Sequence, residues 1–194
     1  NIPSYIKRIN PNAFRHCKKI RYIKFSKDSK LLLISENAFS ESAINKIIIS
    51  KTVSIIGAFA FNKCQKLTTV DFESNSNLSK ICNGAFSNES SLEKIKIPSN
   101  VVEIGKNAFS NCSKLKWIDI LDDSNLTIIQ ENAFDHSSIV SFMVTSKVNL
   151  IGNQAFANCE NLQIIEFHED SLFLFDENIF KNSPHVIIMI SAKK

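Results

Sequence analysis

Cysteine is the residue type in this chain whose spacing most directly suggests chemistry. Four of the five cysteines recur at intervals of 47, 48 and 47 residues: Cys17, Cys64, Cys112 and Cys159. Thiols can form disulfides, bind zinc or act as nucleophiles, but the sequence contains no Cys-x-x-Cys or His-x-x-x-His cluster that would favour zinc. Spacing this regular indicates instead that the polypeptide is repetitive and that each thiol occupies the same place in its unit.

The other reactive residue types show no comparable order. The four histidines share no register: His16, His136, His168 and His185. Glycine, present four times, is too scarce for a phosphate-binding loop or a dinucleotide motif. The acid pairs Asp122-Asp123 and Glu169-Asp170 fall in expected loops, where solvation explains them better than general acid–base catalysis. The sequence therefore predicts a protein that is not an enzyme and uses no metal or cofactor.

A phenylalanine repeat reveals the elements that position these residues. Eight phenylalanines occur at intervals of 22 to 25 residues, all but the last preceded by Ala: Phe14, Phe39, Phe61, Phe86, Phe109, Phe134, Phe156 and Phe180. A period in this range is typical of a solenoid, in which each coil buries its apolar edge against its neighbours. We predict that residues 1–194 form one solenoid of about eight 22–25-residue coils. Because the chain opens inside a repeat, we expect a fragment of a longer array.

Positions around each phenylalanine predict the two walls of a coil. With Phe as position 0, position −8 is Leu, Ile or Val in every copy, including Leu172 in the eighth. Position −5 is Ile in every copy except the eighth, which has Phe175. An alternating pair such as Ile95/Ile97 follows, which is typical of a strand with one buried face. We therefore predict an α/β-type repeat solenoid with one short parallel β-strand per coil and short helical or 3₁₀ turns on the other wall, with the phenylalanines filling the interior.

Alternate coils are of two types. Cys-type coils carry the recurring cysteine at +3, and three of the four carry glycine at −4: Gly57, Gly105 and Gly152. Ser-type coils carry serine at +3, except that Glu89 replaces it in the fourth coil. Cysteines two coils apart should be separated by about 9.6 Å, beyond the Cα separation of about 7 Å that a disulfide allows. We therefore expect the four recurring cysteines to be reduced and buried. We also expect Cys82, which lies outside this register, to have no disulfide partner.

Charge is distributed unevenly along the chain. The net charge of +4 combines 16 Lys+Arg against 7 Asp+Glu in residues 1–97, or +9, with 7 against 12 in residues 98–194, or −5. Such polarity could favour head-to-tail self-association or a partner of matching polarity, or it could reflect ordinary surface variation. The sequence contains no run of 18 or more apolar residues, so it predicts no transmembrane helix.

Residues beside the buried strand pairs should face outward, and they vary between coils while the interior does not. They form the candidate partner-binding set: Tyr22, Lys24, Lys46, Thr69, Asp71, Lys94, Lys96, Trp117, Asp119, Ser141, Met143 and Glu166. The single tryptophan, Trp117, lies near the middle of this row. It is either a contact anchor for a partner or a ring packed over neighbouring lysine stems.

One coil reads Leu92-x-x-Ile95-x-Ile97-Pro98-x-x-Val101-x-x-Ile104-Gly105-x-x-Ala108-Phe109-x-x-Cys112-x-x-Leu115. This pattern resembles the leucine-rich repeat of BspA-like, or Treponema pallidum-type, proteins, in a version like those of parasitic protists. The resemblance covers essentially the whole chain. It implies a right-handed solenoid without enzymatic activity and a surface-exposed or secreted protein that binds host cells, extracellular matrix or other microbes.

Three functional hypotheses remain open from the sequence. The first is a protein- or matrix-binding module at the cell surface or in secreted form. The second is a cytoplasmic protein–protein scaffold that uses the same face. The third is polyanion binding through the basic N-terminal coils, where these cations cluster: Lys7, Arg8, Arg15, Lys18, Lys19, Arg21 and Lys24. Too few aromatic residues lie among these cations for base stacking, which argues against nucleic acid as the partner.

Overall fold

A computed structural model of the chain describes residues 1–170 and 178–191. These residues form a right-handed solenoid of coils joined by parallel strands, as the sequence predicts. Leu172 and Phe175, the expected core residues of the eighth coil, lie outside the described residues. In the described coils, the alternating apolar pairs and the phenylalanines point into a single hydrophobic core.

The strand predicted in each coil is present. These strands are β2 (Tyr22–Ile23), β4 (Lys46–Ile49), β6 (Thr69–Phe72), β8 (Lys94–Lys96), β10 (Trp117–Asp119), β12 (Ser141–Val144), β14 (Ile164–His168) and β15 (Ile187–Ser191). They pair in parallel as β2-β4-β6, β8-β10 and β12-β14-β15. We call their shared outer surface the strand face. Its sheet is therefore interrupted twice, between β6 and β8 and between β10 and β12.

The expectation of one strand per coil is wrong, because a second strand ends at the position −5 isoleucine. These strands are β1 (Arg8–Ile9), β3 (Leu33–Ile34), β5 (Ile55–Ile56), β7 (Lys80–Ile81), β9 (Glu103–Ile104), β11 (Ile128–Ile129) and β13 (Leu150–Ile151). They form a continuous seven-stranded parallel sheet in chain order. The wall opposite the strand face is thus built by bonds between coils.

The helical or 3₁₀ turns expected on that wall are also wrong, since the described residues contain no helix. Successive backbone N–H groups alternate in direction around each phenylalanine. The N–H of Phe61 donates to the carbonyl of Ala85 in the next coil at 2.8 Å, whereas the N–H of Asn62 donates within its own turn to Phe59 at 3.1 Å. Because every second N–H leaves the coil, the consecutive local bonds of a helix cannot form.

The predicted phenylalanine core is confirmed in the six inner coils, while Phe14 and Phe180 at the two ends are partly buried against it. Phe39, Phe61, Phe86, Phe109, Phe134 and Phe156 are fully buried. Neighbouring rings stack at centroid distances such as 5.1 Å for Phe61–Phe86 and 5.3 Å for Phe86–Phe109. The preceding alanines are buried as well, and their lack of bulk lets the phenylalanine N–H of one coil reach the alanine carbonyl of the next.

Three of the four recurring cysteines are buried as predicted, while Cys17 in the first coil is only half-buried. Each buried thiol donates to the carbonyl of the preceding coil's phenylalanine, as from Cys64 Sγ to Phe39 at 3.0 Å. Burial raises the pKa of Cys64 to about 12 and that of Cys159 to about 11. These thiols therefore act as packing residues and local hydrogen-bond donors, without thiolate chemistry.

Candidate functional site

The structure places all twelve candidate binding residues along the strand face. Thr69 and Glu166 are half-buried and the other ten are exposed. Lys24 directly follows β2, and the remaining eleven lie within the strands. Period-two alternation turns their neighbours inward, so that Ile95, Ile118 and Phe142 are buried beneath them. The sequence therefore located the face correctly, while the binding role of these residues stays a prediction.

Trp117 offers the largest ring on this face. It is 48% exposed and lies in register with Lys94 of the neighbouring strand. The ammonium of Lys116 lies 5.7 Å from the ring centroid, within the range of a cation–π contact. About half of the ring surface remains open, as a contact anchor requires.

Charged side chains of both signs occur on the same face. Among the twelve candidate residues, the structure shows one ion pair, between Lys46 and Asp71 at 3.8 Å. Lys94 and Lys96 project from β8, and Asp119 of β10 is in register with Lys96. The face therefore presents groups of both signs to a partner.

Two depressions lie at the interruptions of the strand-face sheet. The larger, of about 720 Å³, lies between β6 and β8 and includes the loop residues Pro98, Ser99 and Asn100. The smaller, of about 310 Å³, lies between β10 and β12. Sequence reasoning missed the loop residues because it assumed an unbroken sheet. The strand spacing gives no signal for this interruption, because Thr69 follows Cys64 by five positions and Lys94 follows Glu89 by five as well.

The basic first coil is partly engaged within the protein. Arg15 lies 3.8 Å from the carboxylate of Glu41 in the second coil. Lys18 Nζ donates to the backbone carbonyl of Glu41 at 2.6 Å. Two of the seven cations that suggested polyanion binding therefore help to join the first two coils.

Within residues 1–170 and 178–191, no group of three or more His, Cys, Asp or Glu side chains is placed to hold a metal ion. In the same ranges, no helix is long and apolar enough to cross a membrane.

Glu89 is a buried carboxyl group at the +3 position of the fourth coil, where the other Ser-type coils have serine. Its Oε1 accepts a hydrogen bond from the Cys64 N–H at 2.7 Å, and its Oε2 has no hydrogen-bond partner among the described residues. Loss of hydration on burial raises the pKa of Glu89 well above its usual value, although the bond from Cys64 opposes this shift. The thiols of Cys64 and Cys112 face it from the adjacent coils. The environment therefore favours the neutral acid in the interior.

The protonation of Glu89 predicts how stability depends on pH. Because the folded-state pKa is raised, the contribution of Glu89 is fully present below the unfolded-state pKa, near 4.3. It is lost as pH rises toward the folded pKa, because the unfolded chain then releases the proton that the folded chain retains. Across this window, the free energy of unfolding of the wild type should fall by as much as about 1.4 kcal/mol per pH unit because of Glu89. Glu89→Gln should not show this decrease.

Urea denaturation between pH 4 and pH 9 measures this effect. The stability of Glu89→Gln relative to the wild type should rise with pH. Exposed Glu93 in the same coil supplies the matched control Glu93→Gln, for which we expect no such trend. Parallel stability curves for the wild type and Glu89→Gln would show that the Glu89 carboxyl is not held neutral.

A solenoid of short repeating coils, with a parallel strand face and a fixed apolar interior, defines a leucine-rich repeat protein. The chain matches the model of the BspA type leucine rich repeat region in six copies, over residues 1–116 and 79–193. Because these matches span nearly all of the sequence, the chain belongs to the BspA-type leucine-rich repeat family.

Solved structures share the same fold. A leucine-rich repeat protein from Bacteroides ovatus is 22% identical, with a TM-score of 0.73 over 97% of this chain and 54% of its own. The T. pallidum leucine rich repeat protein is 18% identical, with a TM-score of 0.56 over 89% of this chain and 69% of its own.

A leucine rich cell surface protein from Faecalibacterium prausnitzii is 22% identical, with a TM-score of 0.53 over 79% of this chain and 48% of its own. This chain thus spans about half the length of the B. ovatus and F. prausnitzii chains. A comparison with curated protein sequences finds no match.

Proposed function

We propose that this chain is a non-enzymatic protein-binding module, displayed at the cell surface or secreted, that binds a host protein or extracellular matrix through its strand face. The observation that carries the proposal is Trp117, which is 48% exposed on a strand whose alternate residues are buried. Exposing a large aromatic ring costs hydrophobic free energy. A partner that covers the ring recovers that free energy, and tryptophan is enriched among the residues that dominate binding at interfaces.

The variability of the strand face supports the same proposal. Interior positions repeat from coil to coil, whereas the outward residues change from Lys94 and Lys96 to Trp117 and Asp119 on adjacent, paired strands. Variation of this kind supplies a specific surface on a constant scaffold. The extracellular location is supported by the F. prausnitzii protein, which is described as a cell surface protein. The cytoplasmic scaffold uses the same residues and differs only in compartment.

Trp117→Ala tests the proposal. The purified chain is applied to immobilised fibronectin, laminin and type IV collagen and to cultured epithelial cells, and bound protein is measured. We expect the wild type to bind at least one of these surfaces and the variant to bind it about tenfold or more weakly. The melting temperature should change by less than about 2 °C, because Trp117 contributes little to the core.

The matched control is Tyr5→Ala, because Tyr5 is 72% exposed but lies outside the strand face. This variant should bind like the wild type. Equal loss of binding in both variants, or unchanged binding by Trp117→Ala, would contradict a strand-face site centred on Trp117. Absence of binding to every probe would contradict the matrix- and cell-binding role.

A further inference from the structure

The strand face has a second distinctive region where its sheet is interrupted between β10 and β12. These two strands are not hydrogen-bonded to each other, and the depression of about 310 Å³ opens between them. Its lining includes exposed Leu121 and Met143 together with Ile118, Ile120 and Phe142, whose side chains are buried beneath the strand face. Asp119 and Glu166 supply two carboxylates to the same depression, and Lys96 of β8 supplies one ammonium group. An apolar lining beside charged groups is suited to an amphipathic side chain.

The two carboxylates have no counter-ion within the described residues. Elsewhere in the solenoid, acidic side chains pair with lysines of neighbouring coils, as in Lys80–Glu103 at 2.7 Å and Lys106–Glu131 at 2.9 Å. Lys96 is in register with Asp119, yet the structure forms no ion pair between them. Asp119 and Glu166 therefore remain available to a cation from outside the chain.

Met143 lies between these carboxylates. It belongs to β12, is 38% exposed, and is in register with Glu166 of β14. Asp119 projects from β10 on the other side of the interruption, so the two carboxylates are carried by strands at least two strand spacings, or about 10 Å, apart. The thioether is a flexible apolar surface over which an aliphatic stem can pack.

Apolar side chains lie beside Asp119, Met143 and Glu166. Trp117 precedes Asp119 by two residues on the same face of β10, and Ile164 precedes Glu166 by two residues on β14. Ile164 is in register with Ile187 of β15, which is 60% exposed. The row beside Asp119, Met143 and Glu166 therefore carries three apolar side chains, with Ser141 between Trp117 and Ile164.

We infer that this region binds an extended segment of another protein in which an arginine or lysine is flanked by apolar side chains. This assignment rests on the proposed protein-binding function and names the chemistry of the partner. The cationic stem packs on Met143 and its head group reaches Asp119 and Glu166, while the neighbouring apolar side chains cover Trp117 and Ile164. The charge of −5 on residues 98–194 attracts such a segment at long range. The same carboxylates repel a phosphate backbone.

The single tryptophan gives a direct readout of binding. The probe is a synthetic ten-residue peptide in which arginine alternates with leucine, and the comparison peptide carries glutamate in place of each arginine. At low ionic strength, we expect the arginine peptide to change the fluorescence of Trp117 and the glutamate peptide to leave it unchanged. Raising the salt concentration should weaken binding of the arginine peptide, because the carboxylates are accessible to solvent.

The double variant Asp119→Asn/Glu166→Gln should bind the arginine peptide at least about tenfold more weakly. Glu160→Gln is the matched control, since Glu160 is an exposed carboxylate in the same half of the chain that lies outside the strand face. It should leave the affinity within about twofold. The inference is overturned if the glutamate peptide binds as tightly as the arginine peptide, or if the double variant retains wild-type affinity.

The two proposals fail separately. If Trp117→Ala abolishes binding to matrix or cells while the arginine peptide does not bind, the strand face remains the binding surface and the basic–apolar partner is wrong. If the arginine peptide binds as expected while Trp117→Ala leaves matrix and cell binding unchanged, the proposed function is wrong and the peptide site stands.

Discussion

Phe109→Ala is expected to lower the free energy of unfolding by about 3–5 kcal/mol. Phe109 is fully buried, and its ring stacks between Phe86 at 5.3 Å and Phe134 at 5.5 Å. Removing the ring leaves a cavity and breaks both stacking contacts. Backbone hydrogen bonds from Phe86 to Ala108 and from Phe109 to Ala133, both at 2.8 Å, fix the spacing of the coils. The neighbouring rings therefore have little freedom to close the gap.

Guanidinium denaturation, followed by circular dichroism and by Trp117 fluorescence, measures the loss. Phe59→Ala is the matched control, because Phe59 is 42% exposed and the substitution removes the same atoms from a partly solvated site. Its effect should be less than a third of that of Phe109→Ala. A loss below about 1 kcal/mol for Phe109→Ala would mean that the ring stack contributes little to the cohesion of the coils.

Much of the fold is predictable because its main signals are local. The recurring phenylalanine and the position −5 isoleucine are fully buried in central coils, as their invariance between repeats suggests. The second sheet could not be predicted in the same way. A strand of two residues, such as Glu103–Ile104, is too short to show alternation. It exists because its backbone bonds to other coils, and such partners are distant in sequence.

The turns around each phenylalanine did leave a sequence signal that the interpretation missed. Residues two before and two after the phenylalanine adopt positive φ, as at Asn107 with 54° and Asn111 with 57°. Asparagine tolerates this left-handed region better than most residues. Its recurrence at these positions favours tight turns over the predicted helical segments.

The candidate site was predictable only in part. Alternation with a period of two determines which strand residues face outward, which is why the twelve candidates all lie on one face. The interruptions of the sheet depend on whether backbones in adjacent coils approach closely enough to bond. Tertiary packing decides that distance. The depressions at these interruptions, and loop residues such as Pro98, were therefore beyond a pattern read one coil at a time.

Gly105→Ala is expected to destabilise the solenoid by about 1–3 kcal/mol, although it adds a single methyl group. A Cβ on Gly105 would lie 2.7 Å from the backbone nitrogen of Asn83 and 2.7 Å from the carbonyl carbon of Cys82. These atoms belong to the backbone of the preceding coil, so no side-chain rotation can relieve the overlap. The coils must move apart, which strains the 2.8 Å hydrogen bond from the Gly105 N–H to Ile81 and the pairing of β7 with β9.

Thermal and urea denaturation of Gly105→Ala should be compared with those of Cys82→Ala. Cys82 occupies the same −4 register in the preceding Ser-type coil, and its half-buried side chain should contribute less than about 1 kcal/mol. Gly57 meets the backbone of its preceding coil in the same way, with a Cβ 2.8 Å from the Ile34 carbonyl oxygen. Glycine therefore occurs at −4 where the backbone of the preceding coil approaches closely. If Gly105→Ala is as stable as Cys82→Ala, close backbone contact does not explain why glycine recurs at −4 in every second coil.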